Sequence, residues 1–263
     1  MVEVRSTAAR VSESKEKTQF FLRLIFFKKR TRLIVRKGSM AVSTIDVSHF
    51  HHTPYYCEEN VHLLCKKLCN DGIANSEGSD LFVAFISNEK KQIPLWNQKA
   101  SNRADGVILW DYHVICIQIN KGDGPPLVWD LDSTLPFPSP LASYVSETIR
   151  PSFQLFSDYN RLFRIVHAPV FLRCFASDRR HMKGSDGHWI EEPPPHAPIV
   201  AEDGTVHNLN EYFNISSSET IADIRTSSVK DAVFSQKQGV VIKENQLEEL
   251  FSHISLQQPH ESN

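Results

Sequence analysis

The segment 106–120 constrains the fold of this chain more than any other, because it is apolar on both of its alternating faces. Such a pattern is typical of a β-strand that is buried from both sides. Residues 121–125 contain two glycines and a proline and predict a tight turn, and 127–132 then predicts the returning antiparallel strand. A strand that is covered on both faces requires other elements above and below it, which predicts a layered domain.

The other predicted elements agree with this class of fold. Strand-like segments occur at 82–87 and 162–167, and helical patterns occur at 57–70, 140–149 and 244–253. We therefore predict a layered domain of the α+β or α/β class. The 263 residues, of which 41% are hydrophobic, are enough to bury one sizeable core.

One histidine lies inside the strand that is predicted to be buried on both faces. If the turn centres near Gly122, residues whose numbers sum to about 243–245 face each other across the hairpin. His113 is then opposite Asp130 or Asp132 and on the same face as both. The hairpin therefore predicts a histidine–aspartate pair, and its geometry leaves both aspartates open.

A cysteine stands at the predicted start of the helix 57–70. Unpaired backbone N–H groups and the helix dipole stabilise a thiolate at that position, and the N–H of Cys57 could also serve as an oxyanion donor. Glu58 and Glu59 oppose this effect because their charges raise the pKa of the thiol. A nearby imidazole must supply most of the activation, so Cys57, His113 and an aspartate of the hairpin form a candidate thiol triad.

Six separated blocks of sequence carry a resemblance to a known family. They are Tyr-Cys-Glu-Glu-Asn at 56–60, the strand-like block 82–89, Ile-Pro-Leu-Trp at 93–96, Trp-Asp-Tyr-His-Val at 110–114, the block 129–138, and Phe-Ala-Ser-Asp-Arg-Arg-His-Met-Lys at 175–183. Through these blocks the chain, from about residue 54 to about residue 253, resembles the protein N-terminal glutamine amidohydrolase family.

The resemblance implies a reaction and a set of catalytic residues. The reaction is deamidation of the side chain of an N-terminal glutamine to glutamate, with release of ammonia. The implied nucleophile is Cys57, the implied base is His113, and the implied orienting acid is Asp130. The implied fold is an α-β-α sandwich with a papain/transglutaminase-like thiol hydrolase core. The resemblance also implies protein or peptide substrates with N-terminal glutamine, a monomer, a cytoplasmic and possibly nuclear location, and a role in the N-degron pathway.

Two other classes of function remain open. A related thiol peptidase or a transglutaminase-like acyltransferase would use the same triad. A non-catalytic protein that binds N-termini would use the same fold without turnover. The net charge of −2 gives no reason to expect nucleic acid as a partner, and no apolar run is long enough to span a membrane.

A cluster of histidines and cysteines could suggest zinc, because imidazole and thiolate are usual ligands of that metal. However, no Cys-x-x-Cys knuckle is present, and Cys65 and Cys69 are one helical turn apart, where free cysteines pack as small hydrophobes. We therefore expect no metal and no cofactor, and we expect Cys116 and Cys174 to be core residues. The residues considered as zinc ligands are His49, His51, His52, His62, Cys57, Cys65 and Cys69.

Recognition of a free N-terminus requires a group that pairs with the substrate ammonium. Asp111 lies two residues before His113 on the same predicted face and could pair with a cation; it could equally bridge a neighbouring strand or cap a loop. The block 177–182 could form part of the rim of the site, or a solvated loop in which Asp178 pairs with an arginine. The proline run at 193–195 predicts a stiff spacer.

The first part of the chain differs in composition from the remainder. Residues 1–39 contain eleven Lys or Arg against three Glu, and they lie outside the family resemblance. We predict that 1–50 is a basic, disordered N-terminal extension and that 51–263 is the catalytic domain. The basic cluster Lys28–Arg32 could be a nuclear address. Alternatively, translation starts at Met40 and the preceding residues have no function.

Overall fold

An antiparallel sheet of six strands organises the part of the chain that the computed structural model describes, which is residues 45–120, 122 and 124–256. The strands, in chain order, are β1 (Leu81–Ser87), β2 (Ile93–Leu95), β3 (Ile108–Trp110), β4 (His113–Gln118), β5 (Leu127–Trp129), β6 (Ser139–Pro140), β7 (Leu162–His167) and β8 (Val240–Lys243). The order across the large sheet is β6-β5-β4-β1-β7-β8, and every neighbouring pair is antiparallel. Strands β2 and β3 form a separate antiparallel pair.

Helices of different lengths flank the sheet. They are α1 (Cys57–Asn70), α2 (Leu141–Tyr144), α3 (Ala168–Cys174), α4 (Leu209–Phe213), α5 (Ser227–Ser235) and α6 (Leu247–Leu256). A π-helical turn at Val145–Ile149 continues α2, and 3-10 turns occur at Val47–His49, Ser157–Tyr159, Arg180–Met182, Ser217–Glu219 and Glu244–Gln246. None of the helices in the described residues is long and apolar enough to cross a membrane.

The side chains of β1 alternate between two hydrophobic clusters, because successive side chains of a strand point to opposite faces. Val83 and Phe85 belong to a cluster that includes residues of α1, α3 and α4. Phe82, Ala84 and Ile86 belong to a second cluster, with residues of α2, α5 and α6. Helices therefore cover both faces of the sheet, and the prediction of a mixed α and β domain is confirmed.

The predicted strand 106–120 is not continuous. β3 ends at Trp110 and pairs with β2, whereas β4 begins at His113 and pairs with β1 and β5. The chain bends at Asp111 because the two halves belong to different sheets. The prediction of one strand was therefore wrong, and the bend places His113 at the first position of β4.

The first residues that the structure describes contact the core. Ile45 donates a backbone hydrogen bond to Phe137, and the Phe50 ring packs against the rings of Phe137 and Trp129. The remainder of the predicted extension, 1–44, lies outside the described residues, so the proposed boundary at 50 stays a prediction.

Candidate active site

Cys57 is the first residue of α1, and the apolar face of that helix fixes its position. Val61, Leu64 and Leu68 recur at helical spacing and are buried in the cluster that also contains Val114 of β4. The helix therefore packs with its N-terminal end beside the start of β4. The predicted start of the helix at Cys57 is confirmed, and the cysteine side chain is buried.

His113 and Asp130 form a buried hydrogen-bonded pair. Nε2 of His113 donates to Oδ1 of Asp130 over 3.0 Å, since an ionised carboxylate can only accept. Burial lowers the pKa of His113, but the charge of Asp130 and this hydrogen bond raise it above its ordinary value. Nδ1 of His113 is buried and has no hydrogen-bond partner among the described residues. That nitrogen is therefore free to exchange a proton with a reacting group.

The carboxylate of Asp130 is held by three donors. Besides His113, the backbone N–H of Asp132 donates to Oδ1 over 2.9 Å, and the hydroxyl of Tyr144 donates to Oδ2 over 2.7 Å. Burial raises the pKa of Asp130, but the charge of His113 and these hydrogen bonds lower it below its ordinary value. Asp130 is thus ionised at neutral pH. Sequence reasoning missed Tyr144, because nothing in a short helical segment marks one tyrosine as a partner of a distant aspartate.

The structure shows which of the two aspartates, Asp130 or Asp132, is the hydrogen-bond partner of His113. Cys116 pairs with Trp129, and continuation of this register would place Asp132 opposite His113. However, β5 ends at Trp129 and the chain turns, so Asp130 reaches His113 diagonally. Asp132 instead accepts a hydrogen bond of 2.8 Å from Nε2 of His52.

Three carboxyl groups act against ionisation of the Cys57 thiol. Burial raises the pKa of Cys57 well above its ordinary value, and the charges of Glu58, Asp132 and Asp130 raise it further, while a backbone hydrogen bond from Val114 opposes them. Sγ lies 3.7 Å from Oε2 of Glu58. Burial also raises the pKa of Glu58 to about 7. The site without substrate therefore holds Cys57 as a neutral thiol.

Glu59 has a different environment from Glu58, although both occupy the first turn of α1. Arg179 makes a bidentate ion pair with Glu59, with distances of 2.8 Å from Nε to Oε1 and 2.7 Å from Nη2 to Oε2. Arg179 also donates to the backbone oxygen of His196 over 3.1 Å. Tyr56 donates to the backbone oxygen of Glu191 over 2.9 Å. The proline-containing segment that the sequence indicated as a spacer is therefore attached to the start of α1.

Two aromatic side chains extend outward from the imidazole of His113. Trp110 stacks on it, with the ring centroids 5.2 Å apart and the planes 19° apart. Tyr55, which is 41% exposed, packs against Trp110 at a centroid distance of 6.2 Å. Tyr55 has a φ of 68°, a left-handed conformation that is uncommon for a tyrosine. By contrast, Phe85 and Trp129 are core residues.

The residues that were weighed as zinc ligands are dispersed. Cys65 and Cys116 lie in the core with their sulfur atoms 3.7 Å apart, His62 packs against the rings of Phe171 and Phe175, and His52 bonds to Asp132. One group of three possible ligands does occur among the described residues, and it consists of His113, Asp130 and Asp132. The aspartates already accept hydrogen bonds from His113, Tyr144 and His52, which favours a histidine–aspartate pair over a metal site.

The polar block 177–182 divides between two ion pairs. Arg179 faces inward to Glu59, whereas the exposed side chain of Arg180 pairs with the buried Asp178, with Nη2 and Oδ2 2.6 Å apart. Asp178 thus pairs with an arginine, as one of the two interpretations of this block expected. Asp111 is exposed at the bend before β4.

Comparisons with known proteins agree with these features. The family model described as N-terminal glutamine amidase matches residues 52–251, a range that contains Cys57, His113 and Asp130. A protein of Arabidopsis thaliana named protein N-terminal glutamine amidohydrolase is 64% identical over 211 residues, covering 80% of this chain and 95% of that protein. Proteins of the same name from Oryza sativa subsp. indica and Bos taurus are 57% identical over 212 residues and 39% identical over 160 residues. The alignments cover 80% of this chain and 90% of the rice protein, and 61% of this chain and 75% of the bovine protein.

Proposed function

Because the chain belongs to the N-terminal glutamine amidase family, we propose that it hydrolyses the side-chain amide of an N-terminal glutamine to glutamate and releases ammonia. The observation that carries the proposal is a thiol at the start of a helix that accepts a backbone hydrogen bond from Val114, the residue next to His113 of the buried His113–Asp130 pair. Each of these groups has a defined role in thiol acyl transfer.

In the first half of the reaction, Cys57 is the nucleophile. His113 accepts the thiol proton, and its raised pKa makes it a stronger base for that transfer. The sulfur then bonds to the γ-carbon of the carboxamide and a tetrahedral intermediate forms. Protonated His113 returns its proton to the nitrogen, the C–N bond breaks, and ammonia leaves. The product of this half is a thioester on Cys57.

In the second half of the reaction, water hydrolyses the thioester. His113 removes a proton from the water, the oxygen bonds to the acyl carbon, and the C–S bond breaks. The proton returns to Cys57, so the net change is amide plus water to acid plus ammonia. Asp130 stays ionised throughout, because three donors hold its carboxylate, and it stabilises the charged imidazole.

The negative oxygen of the tetrahedral intermediate requires hydrogen-bond donors. The backbone N–H of Cys57 is in the first turn of α1, where N–H groups have no partner within the helix. We assign this group as one donor of the oxyanion hole.

The proposal extends to the type of fold and to the biological setting. A nucleophile at a helix start, a histidine at the first position of a neighbouring strand and an aspartate just after the next strand support a papain/transglutaminase-like core. A monomeric state, a location in the cytoplasm and nucleus, and a role in the N-degron pathway stay predictions.

Mass spectrometry with ammonia detection tests the proposed reaction. Matched peptides would begin with Gln, begin with Asn, or carry Gln internally. We expect a gain of about 1 Da and ammonia from the Gln-first peptide alone, and neither from the Cys57→Ala protein. Peptide cleavage or amine incorporation would instead support the thiol peptidase or acyltransferase class. A folded, reduced protein that changes no peptide would refute the proposal.

A further inference from the structure

Glu58 is a buried carboxyl group at the nucleophile, and no basic side chain forms an ion pair with it in the described part of the chain. The other carboxylates around the site each have a basic partner. These pairs are Asp130 with His113, Asp132 with His52, and Glu59 with Arg179. A buried carboxylate without a cation is costly to a protein, so its presence beside Cys57 calls for a functional explanation.

The groups around Glu58 provide hydrogen-bond donors but no cation that belongs to Glu58 alone. From α1 it is flanked by Cys57 and Glu59, and from the segment before β4 the Tyr112 hydroxyl donates to Oε2 over 3.0 Å. His113 and Arg179 are also within electrostatic range, but each is hydrogen-bonded to another carboxylate. Oε2 of Glu58 is therefore a buried acceptor that has no cation of its own, and a bound cation would favour the ionised form of this carboxyl group.

We propose that Glu58 binds the α-ammonium group of the substrate's N-terminal residue and so limits the reaction to free N-termini. This inference rests on the proposed function. The length of a glutamine side chain fits the distance between Cys57 and Glu58. For attack, the amide carbon lies within about 3–3.5 Å of the sulfur. Four bonds, a span of about 5 Å, separate that carbon from the ammonium nitrogen. Because Oε2 is 3.7 Å from Sγ, these lengths allow a glutamine in the site to place its ammonium within hydrogen-bonding distance of Glu58.

The same contact couples recognition to activation of the nucleophile. The charge of Glu58 opposes ionisation of Cys57, and a bound ammonium neutralises that charge. An internal or N-acetylated glutamine has no ammonium, so it leaves Glu58 unneutralised and the thiol protonated. The substrate thus supplies the cation that the site lacks.

Asp111 is the alternative recognition residue, because the sequence pattern also allowed it to pair with a cation. Asp111 is exposed, whereas Glu58 is 1% exposed. Surface ion pairs contribute little discrimination, and a desolvated carboxylate contributes much more. The structure therefore favours Glu58.

Charge-selective thiol reagents test the proposal without any turnover. Methyl methanethiosulfonate is neutral and 2-aminoethyl methanethiosulfonate carries an ammonium group. Both transfer their thioalkyl group to a thiolate and release methanesulfinate. Mass spectrometry of the Cys57 peptide gives the rate at that residue alone, which matters because Cys69 and Cys174 are partly exposed. We expect wild-type Cys57 to react faster with the ammonium reagent.

Glu58→Gln should change the two rates in opposite directions. The preference for the ammonium reagent should fall by about 10- to 100-fold, the usual effect of a hydrogen bond to a charged group. The rate with the neutral reagent should rise, because loss of a neighbouring negative charge lowers the pKa of the thiol. A merely structural role would move both rates in the same direction. Tyr112→Phe keeps the carboxylate and should keep the preference.

Two outcomes would overturn the proposal: Glu58→Gln retains the ammonium preference, or Asp111→Asn removes it. Peptide kinetics separate this failure from failure of the proposed function. If wild type releases ammonia from a Gln-first peptide and Glu58→Gln does so equally well, only the role of Glu58 is wrong. If wild type releases no ammonia but Glu58→Gln abolishes the reagent preference, the amidase function fails and the cation site at Glu58 stands.

Discussion

Tyr144 donates a hydrogen bond of 2.7 Å to Oδ2 of Asp130, and His113 contacts the other oxygen of the same carboxylate at 3.0 Å. The two contacts fix both ends of the carboxylate, so the orientation of the imidazole depends on a residue of α2. Under the proposed function, Tyr144 is therefore a positioning residue, because it contacts Asp130 and acts on His113 only through that carboxylate.

Tyr144→Phe should weaken catalysis through loss of this orientation. The variant leaves one oxygen of a buried carboxylate without its donor, so we expect the free energy of unfolding to fall by about 1–3 kcal/mol. We expect kcat to fall by about 10-fold with little change in KM, because the substrate contacts are untouched. Steady-state kinetics and urea unfolding measure both effects. An unchanged kcat would show that His113 keeps its orientation without Tyr144.

Separate substitutions of the two aspartates test which one orients the imidazole. Asp130→Asn should lower kcat by about 100-fold or more, because an amide can hold the wrong tautomer of His113. Asp132→Asn should have a smaller effect, since Asp132 bonds to His52 instead. Ammonia release by the two purified variants gives the comparison. The reverse order of effects would refute the assignment of Asp130.

The raised pKa of Glu58 makes stability depend on pH. In the unfolded chain this carboxyl ionises near its ordinary pKa of 4.5, whereas in the fold it ionises near 7. Because the folded pKa is the higher one, stability is lost as pH rises from about 4.5 to about 7 and then levels off. Glu58→Gln removes this loss. Urea unfolding between pH 5 and 8 should show the variant gaining up to about 3 kcal/mol over wild type.

A pH-independent difference between Glu58→Gln and wild type would contradict this prediction. Glu89→Gln is a suitable control, because Glu89 is an exposed carboxylate whose pKa is lowered by hydrogen bonds from Ser217. A depressed pKa gives the opposite sign, so any contribution from Glu89 is lost as pH falls below 4.5. Its substitution should therefore leave the slope above pH 5 unchanged.

The neighbouring arginines 179 and 180 provide a matched pair of variants. Arg179→Ala leaves buried Glu59 without its bidentate partner and with only His196 Nε2, at 3.7 Å, nearby, which should cost about 3–5 kcal/mol of unfolding free energy. Arg180→Ala removes a partner whose side chain is 66% exposed, and we expect a change of less than about 1 kcal/mol. Limited proteolysis should also cut the segment 188–196 faster in Arg179→Ala. Equal stability of the two variants would show that the Glu59–Arg179 pair does not hold this segment.

Local patterns predicted the elements that carry the groups of the proposed triad. Helical periodicity after residue 57 predicted the exact extent of α1, because its apolar face and acidic first turn are encoded in adjacent residues. The hairpin pattern predicted that His113 lies near an aspartate. The break at Asp111 escaped prediction, because both halves are apolar and only their pairing with different strands separates them.

Contacts between distant parts of the chain left no local signal. The sequence could not show whether Asp130 or Asp132 bonds to His113. The answer depends on where β5 ends and not on the alternation of side chains along the strand. Similarly, Glu58 and Glu59 have the same sequence pattern, and only Arg179, which lies 120 positions later, distinguishes their roles. Such pairings come from the tertiary fold and follow no short-range periodicity.

The ion pair between Glu59 and Arg179 affects when the site can form during synthesis of the chain. Contacts across such long separations have the highest loop-closure entropy and form slowly. When Cys57, His113 and Asp130 have just emerged from the ribosome, two later parts of the chain are still missing. They are the arginine that neutralises the charge of Glu59 and the segment that Tyr56 contacts. A nascent chain therefore completes this site only after residues far beyond the proposed triad have been synthesised, and fragments that end before Arg179 should lack activity although they contain all three groups.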